Sequence, residues 1–124
     1  MVTALIPVTG QTVPAELAEA IGKGNANRMS AYFHQSLEMT ILDEDYKVSK
    51  NQGTRIMENF FKKHTPTEFK VSFEGIKEQS KYAIGTLITK DGAFRVNMFF
   101  MNKEGSRLIY YISIEKESLY ELNP

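Results

Sequence analysis

Three long stretches of alternating residues, Phe69 to Gly75, Lys81 to Lys90 and Ala93 to Lys116, fill most of the second half of this chain and come after an amphipathic helix. Successive side chains of a strand point to opposite faces, so alternating runs joined by short turns specify an antiparallel sheet. The last run is long enough to be a hairpin in itself. Short helices packed on a strongly twisted sheet are expected, a shape that encloses a pocket. A chain of 124 residues makes one domain with one core.

Upstream, Pro14 suits the start of a first helix with Leu17 and Ile21 on one face, and Gly22 and Gly24 stop it. Asn25 caps a second short helix, whose buried stripe is expected to hold Met29 and Phe33. From Leu37 the period becomes two: Leu37, Met39 and Ile41 share a strand face, Asp43 to Asp45 make a turn, and Tyr46 and Val48 return. Ser49 and Gln52 form a capping box. The main helix beyond it buries Ile56, Met57, Phe60 and Phe61, carries Lys62, Lys63 and His64 at its negative end, and is closed by Thr65-Pro66. Residues 1–13 read as a flexible arm, 14–116 as the domain, and 117–124 as a C-terminal tail. The fold class is α+β: three helices from the N-terminal half on a curved antiparallel β-sheet, in the order α-α-β-β-α-β-β-β.

Asp91-Gly92 is a two-residue hairpin signal. With Lys90 opposite Ala93, Ile88 falls opposite Arg95, Thr86 opposite Asn97 and Ile84 opposite Phe99. A four-residue loop over Asn102 to Gly105 then sets Ile112 beside Arg95 and Tyr110 beside Asn97. One face would carry Tyr82, Ile84, Ile88, Phe99, Met101, Leu108, Tyr110, Ile112 and Ile114, with Thr86, Arg95 and Asn97 among them. The other would carry Ala83, Leu87, Phe94, Val96, Met98, Phe100, Ile109 and Tyr111. Gly85, in mid-strand, marks a bend in the sheet. Both faces are apolar, unlike a sheet with one wet side. Helices cover one face, and the second needs another subunit, the arm, or the tail Leu119 to Leu122.

Ser49, Gln52, Ile56, Phe60, Phe61 and Lys62-Lys63-His64, then Tyr82 to Leu87, Gly92 with Arg95-Val96, and Ile114-Glu115-Lys116 together resemble a family of small bacterial proteins of unknown function. That family belongs to the nuclear-transport-factor-two-like superfamily, the cone-shaped α+β fold shared with ketosteroid isomerase and scytalone dehydratase. The resemblance spans about residues 14 to 116, including the joint Gly24-Asn25-Ala26. It implies frequent dimers and, in most members, export to the periplasm. Met1 to Val8 has no basic n-region and is interrupted by Pro7, so the compartment stays open.

Composition narrows function by exclusion. Fifteen basic against fifteen acidic residues leave no field that would steer the protein to nucleic acid or an anionic membrane. Absent cysteine removes disulfides, thiolate metal sites and thiol nucleophiles. No membrane span, metal site or cofactor motif is expected. Asp43, Asp45 and Asp91 fall in turns, Glu38 and Glu74 face water, and Glu115 lies near a strand end. His34 and His64 sit at helix ends, where the dipole accounts for them. Arg95 stands mid-strand, where a charge needs a partner or water. One reading has it binding a ligand carboxylate or phosphate, with Tyr82, Asn97 and Tyr110 as neighbours in a small-molecule pocket. The other has it pairing with Glu115 or Glu74, in a face whose Tyr and Arg suit a dimer interface. The functional expectation is a noncatalytic protein binding a small anionic or apolar ligand or a partner, as a homodimer through the sheet. The alternatives are an isomerase- or dehydratase-like enzyme with Tyr82 or Tyr110 as donor to an oxyanion, and a purely structural assembly module.

Overall fold

The computed structural model describes residues 12–117. Helices α1 (Ala15–Gly22) and α2 (Ala26–Ser30) precede a hairpin of β1 (Phe33–Ile41) and β2 (Glu44–Ser49). The long helix α3 (Lys50–Lys63) leads to β3 (Pro66–Lys77), β4 (Ser80–Thr89), β5 (Gly92–Lys103) and β6 (Ser106–Lys116). The expected order holds through α3, but four strands follow where the order as written has three, because the last alternating run is itself a hairpin. One six-stranded sheet runs β2-β1-β6-β5-β4-β3. Its neighbours are antiparallel except β1 and β6, which run parallel, so the sheet is mixed.

Local chemistry accounts for the helices. Pro14 sits at the N-cap of α1, one position earlier than expected, and its carbonyl accepts from the Leu17 and Ala18 N–H groups. Asn25 caps α2 by accepting from the Arg28 N–H at 3.0 Å. Ser49 and Gln52 form the capping box, with the Ser49 hydroxyl accepting from the Gln52 N–H and the Gln52 carbonyl accepting from the Ser49 N–H. Phe33 is buried as expected, but as the first residue of β1 instead of the last turn of α2. Thr12 and Val13, the end of the expected arm, are buried: the Val13 N–H donates to Glu74 Oε2 at 3.3 Å, and Arg107 Nη1 donates to the Thr12 carbonyl at 3.1 Å.

Three two-residue turns, Leu42-Asp43, Glu78-Gln79 and Glu104-Gly105, have positive φ at both positions, the mirror-image geometry that matches strand twist. The first replaces the longer acidic turn, with Glu44 and Asp45 already in β2. The third replaces the four-residue loop. Between β4 and β5 the turn is Lys90-Asp91, because Thr89 pairs with Gly92. Every β4–β5 partner is thus displaced by two residues, and Thr86 lies opposite Arg95. A displacement of two preserves the faces.

Beyond that pair, a β-bulge changes the faces. Phe100 pairs with Ile109, but Phe99 pairs with Tyr111, so Tyr110 is the extra residue. Ile112 and Ile114 consequently join the buried face, Tyr111 turns to the other, and Arg95 and Asn97 lie opposite Glu115 and Ser113. The expected neighbours of Arg95 and Asn97, Ile112 and Tyr110, are displaced for this reason. A second bulge at Ser72, between the pairs Val71 with Gly85 and Phe73 with Ile84, turns Phe73 away from the core side that holds Phe69 and Val71.

The helices cover the face of Ala83, Leu87, Phe94, Val96, Met98, Phe100, Ile109, Ile112 and Ile114. Leu17, Ile21, Met29, Met57, Phe60 and Phe61 pack down on it, each large side chain contributing about 1.5–3 kcal/mol of burial. Gly85 belongs to this contact: a Cβ there would stand 2.5 Å from Phe69 Cζ and 2.8 Å from the Lys70 carbonyl oxygen. The glycine admits the Phe69 ring across β4, where a bend in the sheet was expected. Gly85→Ala should therefore cost about 1–3 kcal/mol by overpacking, read as a lower urea midpoint with unchanged slope; an unchanged midpoint would mean the ring is free to move aside.

Candidate functional site

The sheet face opposite the helices is built by alternation and by the two bulges. Its centre carries Phe73 from β3, Tyr82, Ile84 and Ile88 from β4, Phe99 and Met101 from β5, and Tyr110 and Tyr111 from β6. The rings form a row across four strands. Phe73 lies 5.7 Å from Tyr82, Tyr82 stacks on Phe99 at 5.4 Å and 19°, and Phe99 lies 6.2 Å from Tyr110 and 5.9 Å from Tyr111. Gly75, opposite Tyr82, leaves space for that ring, since a Cβ there would meet it at 3.1 Å. The flanks are polar: Glu68 and Lys70 on β3, and Glu38, Thr40, Asp45 and Lys47 on β1 and β2. Phe73 remains 52% exposed and Met101 37%.

Of the sequence-derived candidates, Tyr82 and Tyr110 join this row through Phe99. The Tyr110 hydroxyl is 3.0 Å from Ser80 Oγ. Asn97 Nδ2 donates to Ser113 Oγ at 3.0 Å. Arg95 is four residues along β5 from Phe99, about 13 Å at the rise of a strand, so it shares the face but stands apart from the ring cluster. Its guanidinium is 3.9 Å from Glu117 Oε2, with Glu115 directly opposite in register. Glu74 accepts from the Val13 N–H, and its position across from Ala83 puts it on the helix-covered side.

Sequence reasoning missed a groove beside this row. Between Phe33 and Glu38 the parallel ladder of β1 with β6 is interrupted, β6 advancing two residues while β1 advances five. A groove of about 570 Å³ opens there, with Leu37, Val48 and Met101 as apolar lining and His34, Ser49 and Tyr110 among its polar groups. His34, expected at a helix end, is the second residue of β1, and its Nδ1 lies within 3.0 Å of the Ser36 carbonyl and 3.2 Å of the Ser36 N. The sequence signal was the three-residue stretch His-Gln-Ser between Phe33 and Leu37, where Gln35 stands in place of an apolar residue in the alternation.

His64 caps the C-terminus of α3, as expected, and also clips it to the β4–β5 turn: its Nδ1 is 2.9 Å from Asp91 Oδ2. Its ring packs against Phe60 at 4.8 Å and Phe94 at 4.9 Å. The Thr89 hydroxyl, 2.8 Å from Asp91 Oδ1, and His64 hold the Asp91 carboxyl below the usual carboxylate range. Among the described residues no three His, Asp or Glu side chains are placed to hold a metal ion, and no helix is long and apolar enough to cross a membrane.

A comparison with protein families matches residues 14–115 to a domain of unknown function, DUF4783. The chain belongs to the DUF4783 family. A DUF4783 protein of Bacteroides ovatus is 32% identical over 88% of this chain and 99% of its own, with a TM-score of 0.82. The fold extends further: a chain described as Rd1NTF2_04 with long sheet is 13% identical over 80% of this chain and 93% of its own, with a TM-score of 0.64. A Nostoc punctiforme domain of unknown function with a cystatin-like fold is 10% identical over 86% of this chain and 75% of its own, with a TM-score of 0.66. These two likenesses show a shared fold. A comparison with curated proteins found no match.

The placement of charge sets two expectations. The Arg95 side chain is 46% exposed, so Arg95→Met should change stability by no more than about 1 kcal/mol in urea denaturation, whereas a loss of about 3–5 kcal/mol would mark a buried pair. Because Asp91 is held below its unfolded pKa of about 3.9, its contribution is present above that value and is lost as pH falls through the folded one. Asp91→Asn should therefore melt lower than the native chain above pH ~5 and lose less between pH ~4 and ~2; equal acid slopes would show that Asp91 titrates alike in both states.

Proposed function

We propose that this DUF4783 chain is a noncatalytic interaction protein that works as a homodimer, docking through the sheet face opposite the helices. The observation that supports this reading is the layout of that face, an apolar aromatic centre with a polar rim, which is the anatomy of a protein interface. Tyr82 and Tyr110 serve as aromatic anchors, the residue type in which binding energy concentrates. Asn97 and Arg95 supply polar contacts toward the other end of the same face. Among the described residues the buried polar side chains are Thr12, Thr89 and Ser113, the last of them beside Asn97 on the outer face, and none of the three titrates near neutrality. A general base of the kind used by the superfamily's enzymes would need a carboxyl or imidazole aimed into the cone.

Sedimentation at micromolar concentration should show a species of twice the chain mass of 14.1 kDa. Phe73→Glu with Met101→Glu should return it to the single-chain mass with the far-ultraviolet spectrum unchanged, since both side chains are exposed in the isolated subunit. A native chain that sediments at the single-chain mass would overturn the reading.

A further inference from the structure

We infer that the second copy lies end over end on the first, each chain's Phe73 entering the groove beside β1 of the other. This arrangement rests on the dimer reading and adds which part of the outer face meets which. Two irregularities at opposite ends of the aromatic row carry it. At the β3 end, the bulge at Ser72 releases Phe73 outward, where it stays 52% exposed. At the β1 end, the interrupted ladder with β6 opens the groove of about 570 Å³, with Leu37, Val48 and Met101 as its apolar lining. The sheet runs β1-β6-β5-β4-β3 between them, so projecting ring and apolar recess stand about 19 Å apart at four strand spacings. Neither can fill the other within one chain.

Two copies of one face meet about a two-fold axis lying between them, which makes the contact self-complementary. An axis along the row sets each end against itself, so that Phe73 meets Phe73 and groove meets groove. An axis across the row exchanges the ends, so that ring meets recess twice. Charge favours the exchange. The outward positions of β3 hold Lys70 and Lys77 against Glu68, Lys77 standing opposite Ser80, whose hydroxyl meets that of Tyr110. Those of β1 and β2 hold Glu38 and Asp45 against Lys47. One end is therefore net positive and the other net negative. Like against like would bring the two positive ends together, a repulsion that specific interfaces avoid. Exchanged ends instead turn Lys70, beyond Phe73 on β3, toward the partner's Glu38 and the partner's Asp45, beyond the groove on β1 and β2.

The absence of cysteine makes a disulfide a direct reporter in the full chain. Lys70→Cys and Glu38→Cys are combined in one chain, which keeps Phe73, and oxidised with glutathione disulfide, which takes up the two electrons and two protons as two glutathione thiols. Phe73→Cys with Ser36→Cys, the latter in the groove lining, forms a second pair. In each pair one site is on β3 and the other on β1, four strands apart and too far to bridge within a chain. The expected result is a product of twice the single-chain mass, in which peptide mapping finds position 70 bonded to 38, or 73 to 36. Sedimentation of the native chain keeps two failures apart. A native dimer whose bonds join 70 to 70, 73 to 73 or 38 to 38, or whose thiols stay free in both pairs, overturns the exchanged ends and leaves the dimer standing. A native chain at single-chain mass overturns the dimer and the exchanged ends together, and leaves the groove to an occupant other than a second copy.

Discussion

The burial of one sheet face beneath α1, α2 and α3 depends on a single extra residue in β6. Strict alternation from Ile109 would send Tyr111 into the core and Ile112 and Ile114 out of it. Tyr110 absorbs the parity change, so both isoleucines are buried and two tyrosines stand on the opposite face. Two buried isoleucines are worth about 1.5–3 kcal/mol each, and a phenolic hydroxyl in the apolar core would need a partner that the core lacks. The bulge therefore satisfies both faces at once. Ser72 in β3 acts in the same way, keeping Phe69 and Val71 toward the core and releasing Phe73 to the other side.

These devices also create the surface on which a functional reading rests. Phe73, Tyr82, Phe99, Tyr110 and Tyr111 come from four strands, and two bulges together with the side-chain-free Gly75 bring their rings into one row. Meanwhile the other side is closed by the helices, clipped at one end by His64 on Asp91 and at the other by Glu74 and Arg107 on the start of α1. A half closed by helices carries an open, aromatic half. Among the described residues the buried polar side chains are Thr12, Thr89 and Ser113.

Several parts of this arrangement were legible beforehand, each because its cause is local. The capping box at Ser49 and Gln52, the Asn25 cap and the apolar stripe of α3 depend on side chains close to one another along the chain. The faces of β4 and β5 were also legible despite a displaced register, since the error was two residues and side-chain period is two. Arg95, Asn97, Tyr82 and Tyr110 were correctly grouped on one face. Their spacing was not: Arg95 lies apart from the rings, and Ser113 instead of Tyr110 stands beside Asn97.

The sequence by itself determined the order of elements through α3, the caps of α2 and α3, and which residues of β4 and β5 share a side, because propensity, capping and alternation act over one turn or one strand. Tertiary structure alone decided where alternation breaks, that β1 runs parallel to β6, and that Glu117 meets Arg95. A bulge is stable only when the strand beside it and the helices above it reward the reversed side chains, and those neighbours lie tens of residues away. Nothing within reach of Tyr110 along the chain records which of its neighbours the core will accept.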